Sequence, residues 1–186
     1  QLGHGDEQHR WVPTEIPLAR FKGHPIVMLA AGHGHMVALS ENGLVYTCGL
    51  GRSGQLGHGN DQDQRLPRQG ETARFGGKKI VFVAAREWHT LAVTARGRLY
   101  TWGSNGYGQL GHGATRNRQV PTLVEAGSFR GSAVAMVASN LGEDDAIVDA
   151  FANVLRQLPP ALPPAENARC LLQAYRLLPP HFPPAV

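Results

Sequence analysis

The pentapeptide Gln-Leu-Gly-His-Gly stands at Gln1–Gly5, at Gln55–Gly59 and at Gln109–Gly113, a spacing of 54 residues both times. Without a gap, the same offset superposes Pro13, Pro67 and Pro121, then Phe21, Phe75 and Phe129, then Gly23, Gly77 and Gly131. It runs on through His35/His89, Gly43/Gly97, Tyr46/Tyr100, Thr47/Thr101, Gly49/Gly103 and Gly54/Gly108, and is lost after Ala138. A period of this length means that one supersecondary unit is stacked on copies of itself, because a single copy cannot bury its own apolar faces. The sequence therefore divides into a repeat region, 1–140, with units 1–54, 55–108 and a partial 109–138, and a remainder, 141–186, of different composition.

Within a unit, short apolar runs alternate with Gly-rich punctuation, which is the pattern of strands and turns. Ile26 to Ala31 and Ile80 to Ala85 read as buried strands, followed by His35 to Ser40 and His89 to Thr94. A turn at Glu41-Asn42-Gly43 or Ala95-Arg96-Gly97 then leads into Leu44 to Cys48 or Leu99 to Trp102. The glycine falls where a tight hairpin demands positive φ. A fourth strand is expected near Pro13 to Ile16 or Val120 to Val124, and four strands repeating every 50 or so residues mark propeller blades. The fold class is all-β: a partial β-propeller of about two to three four-stranded blades, followed by a short α-helical, proline-rich tail.

The strings His89-Thr90-Leu91-Ala92-Val93-Thr94, Gly97-Arg98-Leu99-Tyr100-Thr101-Trp102-Gly103 and Ser104-Asn105-Gly106-Tyr107-Gly108-Gln109-Leu110-Gly111-His112-Gly113 resemble the regulator of chromosome condensation repeat family. The resemblance covers about residues 1–138 and implies a seven-bladed β-propeller. Arg86 stands where the family has Gly, aligned here with Gly32, and Cys48 stands where Trp102 recurs. A ring of seven such units needs roughly 380 residues, since each blade must be covered by its neighbours. This chain carries two full units and part of a third, so it does not close a ring by itself and reads as a fragment or relative of a larger repeat protein. Open blades leave apolar faces to be capped or paired, which makes self-association through the blades or the tail helices an expectation.

After Gly142 there is no further glycine, while 8 of the 13 prolines fall between Pro159 and Pro184. Ile147, Val148, Phe151, Val154, Leu155 and Leu158 share one helical face, with Glu143, Asp144 and Asp145 at the first turn where carboxylates suit the helix dipole. Pro159-Pro160 ends that helix; Ala168, Leu171, Leu172, Tyr175 and Leu178 mark a second, stopped by Pro179-Pro180. The tail reads as a cap on the last blade, a dimerising segment, a proline-rich ligand or sequence unrelated to the repeat.

The formal charge of +4 is divided unevenly: 1–140 holds 15 basic and 9 acidic residues, 141–186 holds 3 and 5. The basic residues are scattered and form no Lys/Arg run, so nucleic acid or chromatin is not an expected partner. No apolar stretch is long enough to cross a bilayer, and Cys48 and Cys170 lack disulfide-framework or metal-ligand spacing, so an intracellular location, cytoplasmic or nuclear, is expected.

His4, His58 and His112 recur one per unit, which spreads them around an arc, so no metal site is expected and their role is hydrogen bonding within the repeat. Gly49 to Gly54 and Gly103 to Gly108 have phosphate-loop glycine spacing but no following Lys-Ser/Thr or helix, so no cofactor is expected. Ser40, Ser53 and Ser104 lack a base partner and no catalytic residues are assigned. Light-sensing relatives of this family carry Gly-Trp-Arg-His-Thr motifs, whereas the counterpart here, Arg86-Glu87-Trp88-His89-Thr90, has Glu87 at the tryptophan position. Trp102 is expected to pack between blades.

The repeat-structural set comprises Gly3, His35, Gly43, Gly49, Gly54, Gly57, His89, Gly97, Trp102, Gly103, Gly108 and Gly111. The expected partner contacts are Arg52, Asn105, Tyr107, Arg116 and Arg118, all in or near inter-strand loops, where binding residues concentrate. These point to a non-catalytic scaffold for another protein, which on the family resemblance includes a small GTPase. The resemblance also implies two alternatives, guanine-nucleotide exchange on a Ran-type GTPase and substrate recruitment in a HECT-type ubiquitin ligase.

Overall fold

Alternating apolar residues and glycine-bearing hairpins build two four-stranded antiparallel sheets in the computed structural model, which describes residues 1–125. The first blade consists of β1 (Ile26–Ala31), β2 (His35–Ser40), β3 (Val45–Gly49) and β4 (Gln64–Gln69), in that spatial order. The second repeats it with β5 (Ile80–Arg86), β6 (His89–Thr94), β7 (Leu99–Gly103) and β8 (Arg118–Leu123). The irregularities repeat as well: bulges lie at Ile26/Met28 and Ile80/Phe82, and at Thr47/Gly49 and Thr101/Gly103.

The hairpins close as the sequence requires. Gly43 N–H donates to the Ser40 carbonyl, and Leu44 N–H to Ser40 Oγ at 3.0 Å; Gly97 and Arg98 repeat this on Thr94. Gly3, Gly43, Gly49, Gly54, Gly57, Gly97, Gly103, Gly108 and Gly111 all have positive φ. At Gly49 and Gly103 a side chain is excluded twice over, since a Cβ would also run into the carbonyl oxygens of Gly34 and Trp88.

One sequence expectation needs correction, and the blades are offset from the 54-residue period: each takes its fourth strand from the unit after the one that supplies its first three, so the blades span Ile26–Gln69 and Ile80–Leu123. Pro13 to Ile16 carries no strand pairing, although Val120 to Val124 largely matches β8. Its counterparts β4 and β8 form by pairing with β3 and β7. The expected tail helices, Cys170 and the third unit beyond Glu125 lie outside the described residues.

The core lies between the blades. Val37, Leu39 and Val45 of the first, with Met28 and Ala30 beside them, pack against Phe75, Ile80, Val83, Ala92, Tyr100 and Trp102 of the second. Single 3₁₀ turns at Leu18–Phe21 and Thr72–Phe75 set a phenylalanine on each blade, edge-on to Tyr46 and Tyr100 with ring centroids 5.4 Å apart in both cases. Each fully buried aliphatic side chain in this cluster contributes roughly 1.5–3 kcal/mol.

Candidate interaction surface

Polar side chains lock each blade to the loop beside it. Thr47 Oγ1 donates to the Leu56 carbonyl at 2.8 Å and lies 2.9 Å from His58 Nε2; Thr101 does the same with Leu110 and His112 at 2.7 and 2.9 Å. A hydroxyl has one proton, so each histidine is the donor in the second bond and carries its proton on Nε2. Burial, and then the Arg68 charge, push the His58 pKa down to about 4 despite Glu71 nearby; burial followed by Arg118 lowers that of His112. These histidines are neutral structural donors, in keeping with their reading from the sequence.

A second lock joins the blades. The Gln55 carbonyl accepts both Thr90 Oγ1 and Trp102 Nε1 at 2.8 Å, and His35 Nε2 donates to Thr90 Oγ1 at 2.9 Å. His35 is 1% exposed and its pKa falls to about 4, through burial first and the neighbouring His89 second. Trp102, 1% exposed and edge-on to Phe75, fills the seam between blades as expected. In the first blade Cys48 takes the place of Trp102 and its thiol donates to the Gln1 carbonyl at 3.5 Å, while burial raises its pKa to about 11. A thiol so protonated is a packing group and not a nucleophile.

The long connections β3–β4 and β7–β8 lie at the end of the sheets where the β1–β2 and β5–β6 turns lie: Leu50 N–H donates to the Gly34 carbonyl and Ser104 N–H to that of Trp88. Both connections are pinched at the base, Gly51 N–H on Asp63 Oδ1 and Asn105 N–H on Asn117 Oδ1, each at 2.8 Å. Asn105 is fully buried and corrects its reading as a contact residue. Its amide donates to the Ala114 and Arg116 carbonyls at 2.6 and 3.0 Å, and its Oδ1 accepts Leu110 N–H at 2.9 Å. Arg118 opens β8, half-buried, its Nε enclosed without a partner. Arg52 and Arg116 are exposed, and Tyr107 is 97% exposed at its loop tip.

The model of the "Regulator of chromosome condensation (RCC1) repeat" matches residues 1–39, 42–93 and 96–140, and a second model of the same repeat matches 26–55 and 80–109. The chain belongs to the RCC1 repeat family. Among RCC1 relatives, the ultraviolet-B receptor UVR8 of Arabidopsis thaliana is 39% identical over 150 residues, 80% of this chain and 33% of that protein. The human E3 ubiquitin-protein ligase HERC2 is 38% identical over 138 residues, 74% of this chain and 3% of the ligase. The solved structure of Prp20p from Saccharomyces cerevisiae, described with its binding properties to Gsp1p and histones, is 25% identical with a TM-score of 0.52, over 60% of this chain and 27% of that one. This chain thus spans a third or less of the length of these relatives.

In the RCC1 blades described, the sequence reading missed Gln55, Thr47, Thr90 and Thr101 as locking residues. Gln55 and the Thr47/Thr101 pair were visible in principle, because they recur at the 54-residue offset. Thr90, aligned with Met36, carries no such signal. The pair of half-buried Trp88 and exposed His33, with ring centroids 5.0 Å apart, was also missed, since it joins turns of different blades.

Proposed function

We propose that this chain acts as a non-catalytic protein-binding scaffold, in which the locked RCC1 blades are the frame and Arg52, Tyr107 and Arg116 contact the partner. The observation that carries this reading is Tyr107: an aromatic ring 97% exposed on a loop whose base is fixed by the buried Asn105. An exposed tyrosine on a pre-formed loop loses little conformational entropy on binding, and tyrosine is among the residues that anchor interfaces. The test is quantitative affinity capture with the wild-type chain and with the triple variant Arg52→Ala, Tyr107→Ala, Arg116→Ala. Loss of specific partners from a variant that melts like the wild type supports the reading; an unchanged partner set refutes it.

The likeness to Prp20p favours, as a second reading, exchange on a small GTPase, and accelerated nucleotide release from a Ran-type GTPase would establish it. The match to HERC2 favours substrate recruitment within a ligase as a third, tested by whether partners captured on these loops become ubiquitinated when the chain is joined to a catalytic ligase domain.

A further inference from the structure

The β2–β3 and β6–β7 turns share one backbone arrangement and differ in charge. Glu41 N–H donates to the Pro25 carbonyl at 3.0 Å, and Ala95 N–H donates to the Lys79 carbonyl at 2.9 Å. In both blades this bond ties the hairpin turn to the loop that leads into the first strand. Across that contact in the first blade, Asn42 Nδ2 donates to His24 Nδ1 at 3.1 Å. The 54-residue offset puts Arg96 and Lys78 at the same two positions in the second blade. A polar pair that satisfies itself is thus replaced by two cations at one loop contact.

Lys79 adds a third charge. Its stem lies over Gly43 of the first blade, where a Cβ would run into Lys79 Cγ, and this fixes its base at the seam. All three cations are exposed, and none forms an ion pair among the described residues. The neighbouring acids do not supply the missing charge. Glu71 pairs with Arg74, and Glu41 stands on the first blade's turn, where the second has Ala95. Glu125 follows Val124, which bonds to Leu99, and so lies beside Arg98, which is not counted in the cluster.

We propose that Lys78, Lys79 and Arg96 form a phosphoryl-binding site, whose occupant is a phosphorylated serine or threonine of a partner protein. Like charges gathered on bonded turns repel, and an anion shared between them relieves that repulsion. A phosphoryl group brings about −1.5 to −2 charges and three acceptor oxygens, which suits three cations at one point. A carboxylate brings a single charge, and a nucleic-acid backbone is followed by cations laid out along a track. The arginine contributes a planar fork of donors and the lysines contribute point charges. The site lies at the end of the sheet opposite the Tyr107 loop, because Ile80 pairs with Thr94 at one end and His89 with Gly103 at the other. It therefore stands apart from the contacts of Arg52, Tyr107 and Arg116.

The probe is N-acetyl-O-phosphoserine amide, titrated into the full chain labelled with nitrogen-15 and followed by amide chemical shifts. Saturable shifts are expected at Lys78, Lys79 and Arg96, with N-acetylglutamate amide binding at least about tenfold more weakly. The double variant Lys78→His, Arg96→Asn installs the pair that the first blade uses, and is expected to melt no lower than the wild type and to lose the shifts. Lys78→Gln, Arg96→Gln is a second variant with the same expectation. Undiminished binding by either folded variant, or equal affinity for the two probes, overturns the proposal. So does a duplex oligonucleotide whose binding the same substitutions abolish while the phosphoserine probe does not bind, which would make nucleic acid the occupant.

Discussion

Replacing Thr90 with valine keeps the shape of a fully buried side chain and deletes one hydroxyl, which isolates the lock between the blades. That hydroxyl donates to the Gln55 carbonyl at 2.8 Å and accepts His35 Nε2 at 2.9 Å. The Gln55 carbonyl keeps its bond from Trp102, so its loss is modest, about 1 kcal/mol. The His35 ring fares worse: Nδ1 already lacks a partner, and the change orphans the buried Nε2–H at a cost of about 1–3 kcal/mol. Thr90→Val should therefore lower the unfolding free energy by about 2–4 kcal/mol, and Thr90→Ser by less than about 1. The assay is urea unfolding followed by tryptophan fluorescence. The double variant His35→Leu, Thr90→Val removes both partners, so its loss should fall short of the summed single losses by at least about 1 kcal/mol. A Thr90→Val loss under about 0.5 kcal/mol, or strict additivity, would refute the lock.

Stability should also respond to acid. His35 and His58 titrate at about 4 in the folded chain against 6.5 unfolded, so the unfolded chain binds more protons between these values. Stability is complete above pH 6.5 and declines as the pH falls towards 4, by up to about 3 kcal/mol for the buried His35. Urea midpoints at pH 7 and pH 4.5 should show that decline, and His35→Gln, which retains a donor that does not titrate, should flatten it. Gly57→Ala would put a Cβ 2.8 Å from Trp102 Nε1 at a φ of 77°, and calorimetry should show a loss of about 1–3 kcal/mol. Asn105→Ala should cost about 2–4 kcal/mol by the same measure, because it strips the loop of its buried ties, whereas Tyr107→Ala should stay within about 0.5.

Strands and hairpins were legible in the sequence because their signals are local: β-branched runs, and glycines such as Gly43 and Gly97 where φ is positive. Trp102 was legible too, as a large aromatic in a repeat that must stack. The limits of a blade were not, since a period has no origin and only the pairing of β4 on β3 shows where one sheet ends. Pro13 to Ile16 is in register with residues of β4 and β8 but carries no strand, because strand formation depends on pairing with a neighbour and not on local composition alone. Asn105 looked like a typical exposed loop residue; its burial depends on closure against Ala114 and Arg116, a contact that composition does not reveal.

The mismatch between the sequence period and the blade bears on how such proteins lengthen. A duplicated stretch of 54 residues adds one blade wherever the copied interval begins, since every starting point contains four strands in cyclic order. The junction between old and new copies falls inside a hydrogen-bonded ladder whenever the interval begins between β3 and β4. A newborn repeat of that kind is knitted to its parent through shared backbone pairing before any side chain has adapted, so growth by copying need not await a matched interface.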